Sequence, residues 1–259
     1  METIAGLDAA LLRGVVEAGP TPLFATLSGA HLYGFASPDS DVDLRGAFVA
    51  PLRQVIGLKE PRLTHELSRN QAGLELDWVA HDVVKFARLM TRRNGYVLEQ
   101  LYSPLVVWGG PWLDELRAIG AGCVVRHLFH HYGGFARNQR ELLAKPGVTV
   151  KALLYTYRVY LTGVHVLRSG RIEANLSRLL EAQPGLTAAP IPDLIARKQA
   201  GAEQAVLGPG ELDAHLPALD ALEVALAGAF GACSLPEQPT TFAALNDYVV
   251  RARLELGRE

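Results

Sequence analysis

Asp41 and Asp43 stand on either side of one valine, directly after a glycine- and serine-rich stretch, in SGAHLYGFASPDSDVDLRG (28–46). On a strand, residues i and i+2 point the same way, about 6–7 Å apart. Two carboxylates so placed repel, and each disfavours ionisation of the other unless a positive charge intervenes. A hard divalent cation, Mg²⁺ or Mn²⁺, resolves the conflict and leaves room for phosphate oxygens and water. A third carboxylate from a neighbouring strand would complete a two-metal clamp, and Asp77 in LELDWVA (74–80) is the available residue. Ser28-Gly29 closes an apolar run, and a turn opening at Gly29 lets backbone N–H groups approach a phosphate with no side chain in the way. Ser40 adds a hydroxyl. The stretch reads as a triphosphate grip followed by its metal site. The same residues also suit a solvated turn capped by Asp39 or Ser40.

Elements must carry these groups. Residues 2–18 read as a helix stopped by Gly19-Pro20, and 23–29 as a buried strand. In DVDLRGAFVA (41–50) a strand puts Asp41, Asp43 and Arg45 on one face and Val42 and Leu44 on the other. Residues 51–73 read as loop. In 74–80 alternation puts Glu75 and Asp77 on one face, and 81–93 turns helical. Beyond Pro111 the patterns are helical, over 112–119, 121–143, 148–169, 212–229 and 240–255, with Pro/Gly punctuation at 146–147, 184–192 and 208–210. This predicts a mixed α/β first half and a helical second half, the border near 105–120.

Composition narrows the class. The 259 residues are 49% hydrophobic and 20% charged, as in soluble globular proteins. No apolar run reaches the roughly 20 residues of a membrane helix. Glu2 and Asp8 stand where a secretory signal would be basic, and Cys123 and Cys233 form no CxxC pair, so a cytoplasmic protein with no membrane partner is expected. A net charge of −2 excludes a constitutive nucleic-acid coat protein but leaves room for a local basic patch.

Gly29 followed by Asp41-Val42-Asp43-Leu44 resembles the signature of the DNA polymerase β-like nucleotidyltransferase superfamily. The wider stretch SGAHLYGFASPDSDVDLRGAF is similar to its RNA-ligase-associated, RNA-repair branch, as are LDWVAHDVVKFARLMTRRNGYVLEQLYSP (76–104) and KALLYTYRVYLTGVHVLRSGRI (151–172). The resemblance covers most of 26–172 and then fades to LNDYVVRARL (245–254). It implies an α/β fold: a polymerase β-like nucleotidyltransferase domain over 1–115, a mixed sheet with flanking helices, followed by a helical domain over 116–259 that closes the nucleotide cleft. It also implies Mg²⁺- or Mn²⁺-dependent transfer of a nucleoside monophosphate from a nucleoside triphosphate to a hydroxyl, with an RNA 3′ end as the suggested acceptor and another nucleic acid, a tRNA-like, a protein or a small-molecule hydroxyl as alternatives. A nuclease using the same carboxylates, or a nucleotide-binding module with weakened catalysis, are the alternatives.

Carried over residue by residue, the resemblance makes Asp41 and Asp43 the metal pair and Asp77 the third carboxylate, with Glu75 as rival. Ser28, Gly29, Ala30 and Ser40 fall in the nucleotide-binding turn. Ala30 departs from the family's Ser or Gly, which keeps a backbone donor and loses a hydroxyl. Lys151, Tyr155 and Arg158 share one helix face. In related polymerases a helical-domain lysine and tyrosine contact the triphosphate, which nominates Lys151 and Tyr155; a solvated face is the other reading. Asn94 and Glu99 match the family, and Asn94-Gly95 also makes an ordinary turn. The helix dipole accounts for Arg88, Arg92 and Arg93 without a ligand, an RNA contact being the alternative. Arg45 pairs with a carboxylate or touches phosphate. His127, His130 and His131 stack or pack.

Overall fold

Alternation rules the centre of the chain: Val42, Leu44, Leu76, Trp78 and Ala80 are at most 1% exposed, while Asp43, Arg45, Asp77, Val79 and His81 between them are half-open. The computed structural model, which describes residues 2–201 and 204–258, makes these two segments parallel strands at the centre of a sheet. In chain order the elements are β1 (Thr3–Ile4), β2 (Leu7–Asp8), α1 (Ala9–Glu17), β3 (Pro22–Leu27), α2 (Gly29–Tyr33), β4 (Val42–Phe48), α3 (Leu52–Val55), β5 (Thr64–Gln71), β6 (Leu74–Asp82), α4 (Val83–Met90), α5 (Gly95–Tyr102), β7 (Val106–Trp108), α6 (Pro111–Gly120), α7 (Leu128–Leu143), α8 (Val150–Ser169), α9 (Leu176–Ala182), α10 (Ile191–Ala200), α11 (Glu211–Gly231) and α12 (Phe242–Leu256).

Two compact units result. The first holds Met1–Leu32, Asp41–Cys123 and Gln238–Glu259; the second holds Tyr33–Ser40 and Val124–Glu237. Where the sequence reading divides the chain at 115/116, contacts group α12 with the sheet and Tyr33–Ser40 with the helices. The sheet of the first unit runs β5-β6-β4-β3-β7, with β4 and β6 parallel and the other pairs antiparallel. Leu12, Val15 and Val16 of α1 cover one face, packed with Ala25, Leu27, Val42, Leu44, Leu76, Trp78 and Ala80. Helices α4 and α5 contact the same strands, and Phe86 meets Phe24 edge-on at 5.2 Å between ring centroids. In the second unit, α8 packs against α7, α9, α10 and α11. Fourteen of its residues are buried, and it ends at Gly170, whose φ of 69° lies in the left-handed region that glycine enters at little cost.

The fold class is the mixed sheet plus helices that the sequence implies, with local differences. Residues 3–8 form a hairpin rather than the first turns of a helix. Ala5 and Gly6 both have positive φ, and the Asp8 carboxylate caps α1 by accepting from the N–H groups of Ala10 and Leu11. The stretch read as loop holds α3 and β5. The latter, THELSRNQ, is a polar edge strand with no apolar alternation to betray it. The helix read over 121–143 is broken, with a short 3₁₀ turn at Ala121–Cys123 and a fresh start at Leu128. Helices α9 and α10 fall around the 184–192 punctuation and had no sequence forecast.

A buried ion pair ties α12 to the sheet. Asp82 is fully buried; its Oδ1 accepts from Arg253 Nη2 and from the Val84 N–H, and its Oδ2 accepts from the Ala50 N–H at 3.1 Å. Arg253 Nη1 also donates to the Ala50 carbonyl at 3.0 Å. Removing one partner of such a pair strands a charge. Arg253→Met is therefore expected to lower unfolding free energy by about 3–5 kcal/mol in urea titrations, and the double variant Asp82→Ala/Arg253→Met by distinctly less. A loss under about 1 kcal/mol in the single variant would show that the pair holds nothing.

Four histidines set an acid limit. Burial depresses the pKa of His65, His81, His165 and His215; Arg62 adds to this at His65, Lys85 and Arg45 at His81, and Arg171 at His165, against opposition from Glu66, Glu173 and Glu211 at the last three. With folded values below the unfolded one, the unfolded chain binds more protons, so the stability these groups contribute is complete above about pH 6.5 and is lost as pH falls through the folded values. Unfolding midpoints in urea should drop between pH 7.5 and 5.5. A flat profile over that window would contradict the assignment.

Candidate active site

The parallel register of β4 and β6 pairs Asp43 with Asp77 directly across the ladder. Side chains opposite each other in a sheet share a face, so two carboxylates meet there. The Arg45 guanidinium stands between them: its Nη2 donates to Asp43 Oδ1 at 2.7 Å and to Asp77 Oδ2 at 2.8 Å. Nη1 donates to the Leu44 and Asp77 carbonyls at 2.8 and 2.7 Å, and Nε donates to the Tyr96 hydroxyl at 3.0 Å. Burial works against the Arg45 charge, but Tyr96, Asp43 and Asp77 outweigh it and raise its pKa. Asn94 steadies Tyr96 in turn, its Oδ1 accepting from the Tyr96 and Val97 N–H groups as the cap of α5.

Asp43 has a second anchor. Its Oδ2 lies so close to Gly29 that a Cβ there would be 1.9 Å away, and Gly29 has a φ of +55°. The Ser28 N–H donates to the Asp43 carbonyl at 2.8 Å. Ser28 is fully buried, and its Oγ has no hydrogen-bond partner among the described residues. Ala30 is 5% exposed, so its methyl is packed rather than turned to solvent.

The expected residues are therefore distributed as follows. Asp43, Asp77, Ser28, Gly29 and Ala30 lie in the first unit, as does Asp41, which is exposed and immediately precedes β4. Glu75, the rival of Asp77, is also exposed, and it is Asp77 that shares Arg45 with Asp43. Among the described residues no three His, Cys, Asp or Glu side chains gather as a metal centre. The two carboxylates that do meet are hard oxygen donors already sharing one positive charge, and this chemistry fits a divalent cation.

Ser40, Lys151 and Tyr155 belong to the second unit. The Ser40 hydroxyl accepts from the Ser37 N–H and lies 3.0 Å from Ser37 Oγ. Lys151 Nζ stands 5.8 Å from the Tyr155 ring, which meets Tyr33 and Phe35 edge-on. Arg158, grouped with them on a helix face, is fully buried and stacks on Tyr33 at 3.9 Å, which rules out a solvated face at that position. The His127 and His130 rings stack, and Phe129 and Phe230 surround His130. Glu99 is buried.

Two residues escaped the sequence reading. Tyr96 is one. Lys198 is the other: fully buried, it donates to Ser37 Oγ at 2.6 Å and to Ser40 Oγ at 3.4 Å, while Ser37 Oγ donates to Asp39 Oδ1 at 2.7 Å. A signal for it existed. Ile191, Leu194 and Ile195 are the buried stripe of α10, and Lys198 continues that stripe at i+7.

A family model described as "RlaP: RNA repair pathway DNA polymerase beta family" matches residues 7–251. The uncharacterized protein MJ0002 of Methanocaldococcus jannaschii is 31% identical over 157 residues, 60% of this chain and 64% of that one. The uncharacterized protein YcgL of Bacillus subtilis is 26% identical over 188 residues, 70% of this chain and 71% of that one. The chain thus spans roughly two thirds of the length of these relatives.

The Gly29 contact can be isolated from backbone strain. Gly73 also has positive φ, +81°, but a Cβ there meets nothing within 4 Å. Gly73→Ala should cost only the left-handed backbone penalty, about 1–2 kcal/mol. Gly29→Ala should cost more in equilibrium unfolding, since Asp43 must also move. Equal losses would show that the approach of Gly29 to Asp43 is not tight.

Proposed function

Because the chain belongs to the RNA repair pathway DNA polymerase beta family, we propose that it transfers a nucleoside monophosphate from a nucleoside triphosphate to a hydroxyl acceptor, an RNA 3′ end, and releases pyrophosphate. The observation that carries this reading is the Asp43–Arg45–Asp77 arrangement beside Gly29. Two carboxylates held together by a third charge, next to a backbone stripped of side chain, suit phosphoryl chemistry, which is mostly a matter of positioning and charge neutralisation.

Asp43 and Asp77 would hold a divalent cation, Mg²⁺ or Mn²⁺, with Asp41 the nearest further carboxylate in sequence. Bound there, the ion supplies charge neutralisation at the transferred phosphate and acidifies the attacking hydroxyl. The missing side chain at Gly29 makes room for the Asp43 carboxylate, and the N–H groups of Gly29 and Ala30 are the donors in that turn. Arg45 holds both carboxylates facing one way. The acceptor oxygen attacks the α-phosphorus, forming a phosphodiester bond. The bond from the α-phosphorus to the bridging oxygen breaks, and pyrophosphate leaves with that electron pair. The hydroxyl proton passes to Asp77, the more open of the two carboxylates, with a side chain 38% exposed against 26% for Asp43.

Asp43→Asn should lower nucleotide incorporation by at least about 100-fold with an unchanged circular dichroism spectrum, because it weakens cation binding and not packing. The assay supplies labelled nucleoside triphosphates and RNA and scores both strand length and pyrophosphate. Shortened RNA without any nucleoside triphosphate would replace the transfer reading with a nuclease.

A further inference from the structure

Helices α4 and α12 of the first unit leave a groove of about 350 Å³ between them, lined by Val84, Ala87, Arg88 and Thr91 on one side and Phe242, Leu245, Asn246 and Val249 on the other. Both sets are spaced i, i+3, i+4, i+7, so each is one continuous helix face. The volume is within the range of ligand sites, roughly 300–1,000 Å³. Its floor is apolar, and its rim carries Arg88, the amide of Asn246 and the ring of Phe242, which is 68% exposed.

Charge decides what such a groove suits. Residues 83–93 contain Lys85, Arg88, Arg92 and Arg93 and no acid. Arg88, Arg92 and Arg93 are exposed and, like Arg53, Arg62 and Arg69, have no ion-pair partner among the described residues; what sets them apart is that all three fall between 88 and 93, beside the groove. The helix dipole accounts for a basic last turn, but not for Arg93. That residue follows α4 with a φ of +61°, a conformation helix ends usually give to glycine. Two other non-glycine residues have positive φ, Ala5 and Ala72; each precedes a glycine in the tight turn of a hairpin, where such angles are the norm. At Arg93 the backbone is held in the left-handed region just past the end of α4. Asn94, Gly95 and Tyr96 follow, and Tyr96 touches Arg45 between the two carboxylates. The basic turn and the carboxylates are thus joined by one short rigid connection.

We infer that the α4–α12 groove is a single-strand nucleic-acid site: Arg88, Arg92 and Arg93 hold consecutive phosphates, and an unpaired base enters the groove to stack on Phe242 with Asn246 at its edge. Stacking on an exposed aromatic beside a cationic track is a general way of holding single strands. This deepens the transfer reading, on which it rests, by giving the acceptor strand a path. An apolar peptide segment would fill the groove equally well but has no use for three unpaired guanidinium groups.

The test is binding, without nucleoside triphosphate or divalent cation. Anisotropy of a labelled 12-nucleotide single-stranded RNA is followed against salt for the wild type, for Phe242→Ala and for Arg88→Gln/Arg92→Gln/Arg93→Gln. The triple variant should flatten the slope of log K against log salt by about 2, near 0.7 for each lost phosphate contact. Phe242→Ala should weaken binding at least about fivefold and leave the slope in place. All four side chains are exposed, so thermal unfolding should hardly change. Failure of the wild type to bind the strand, or binding that survives both sets of changes, overturns the inference, as does displacement of a bound apolar peptide with no RNA bound. Nucleotide incorporation by a wild type that fails this test removes the groove and keeps the transfer reading; strand binding without incorporation does the reverse.

Discussion

A guanidinium held between two carboxylates on adjacent parallel strands is the constraint from which the first unit's functional face follows. Asp43 and Asp77 are register partners, so their charges cannot avoid each other without breaking the ladder. Arginine suits the place between them because it stays charged whatever its surroundings and has several donors in a fixed plane. Arg45 uses them all: Nη2 on the carboxylates, Nη1 on two carbonyls, Nε on Tyr96. Each bond limits the others, so the tilt of the guanidinium is set by the strands below it and by α5 beside it. The carboxylates inherit that geometry.

Tyr33–Ser40 illustrates a different kind of control. It leaves α2 and enters β4, yet its contacts belong with the helices of the second unit. Lys198, Ser37 and Ser40 form a buried polar network there, the exposed Asp39 accepting from Ser37 Oγ at its edge, and Gln199 Nε2 donates to the Gly34 carbonyl at 3.1 Å. Buried polar groups are costly unless fully paired, and for the same reason they tolerate few alternative arrangements. The few residues leading to Asp41 and Asp43 are therefore shaped by side chains about 160 positions away in sequence.

Much of this was written in local patterns. The period-two alternation of 41–50 and 74–80 gave both central strands, although β6 runs on to Asp82 where a helix was read from 81, and the shared face of Glu75 and Asp77 followed from it. The Gly29 turn was legible as a place without a side chain, read as room for a phosphate; the Asp43 carboxylate against its α-carbon was not legible. Long-range or polar features were not. The register that sets Asp43 opposite Asp77 depends on how two strands 30 residues apart dock. Tyr96 acts through one hydroxyl on a helix of otherwise ordinary amphipathic pattern. The edge strand β5 offers one apolar residue, Leu67, among seven others that are polar, and propensity says little about such a segment. Asp41 was read as the start of a strand that begins at Val42, a difference of one residue.

The pairing of Asp82 with Arg253 has a consequence for the order in which the chain can mature. The two residues are separated by 171 positions, and at 5–20 residues per second a ribosome needs roughly ten to thirty seconds to travel that distance. During that interval the sheet residues have emerged, but the helix that neutralises Asp82 has not yet been made. All of the second unit except Tyr33–Ser40 is synthesised inside the gap. The nascent sheet must wait with an unpaired carboxylate at the head of α4, and the second unit is free to fold first, before the unit whose strands precede it.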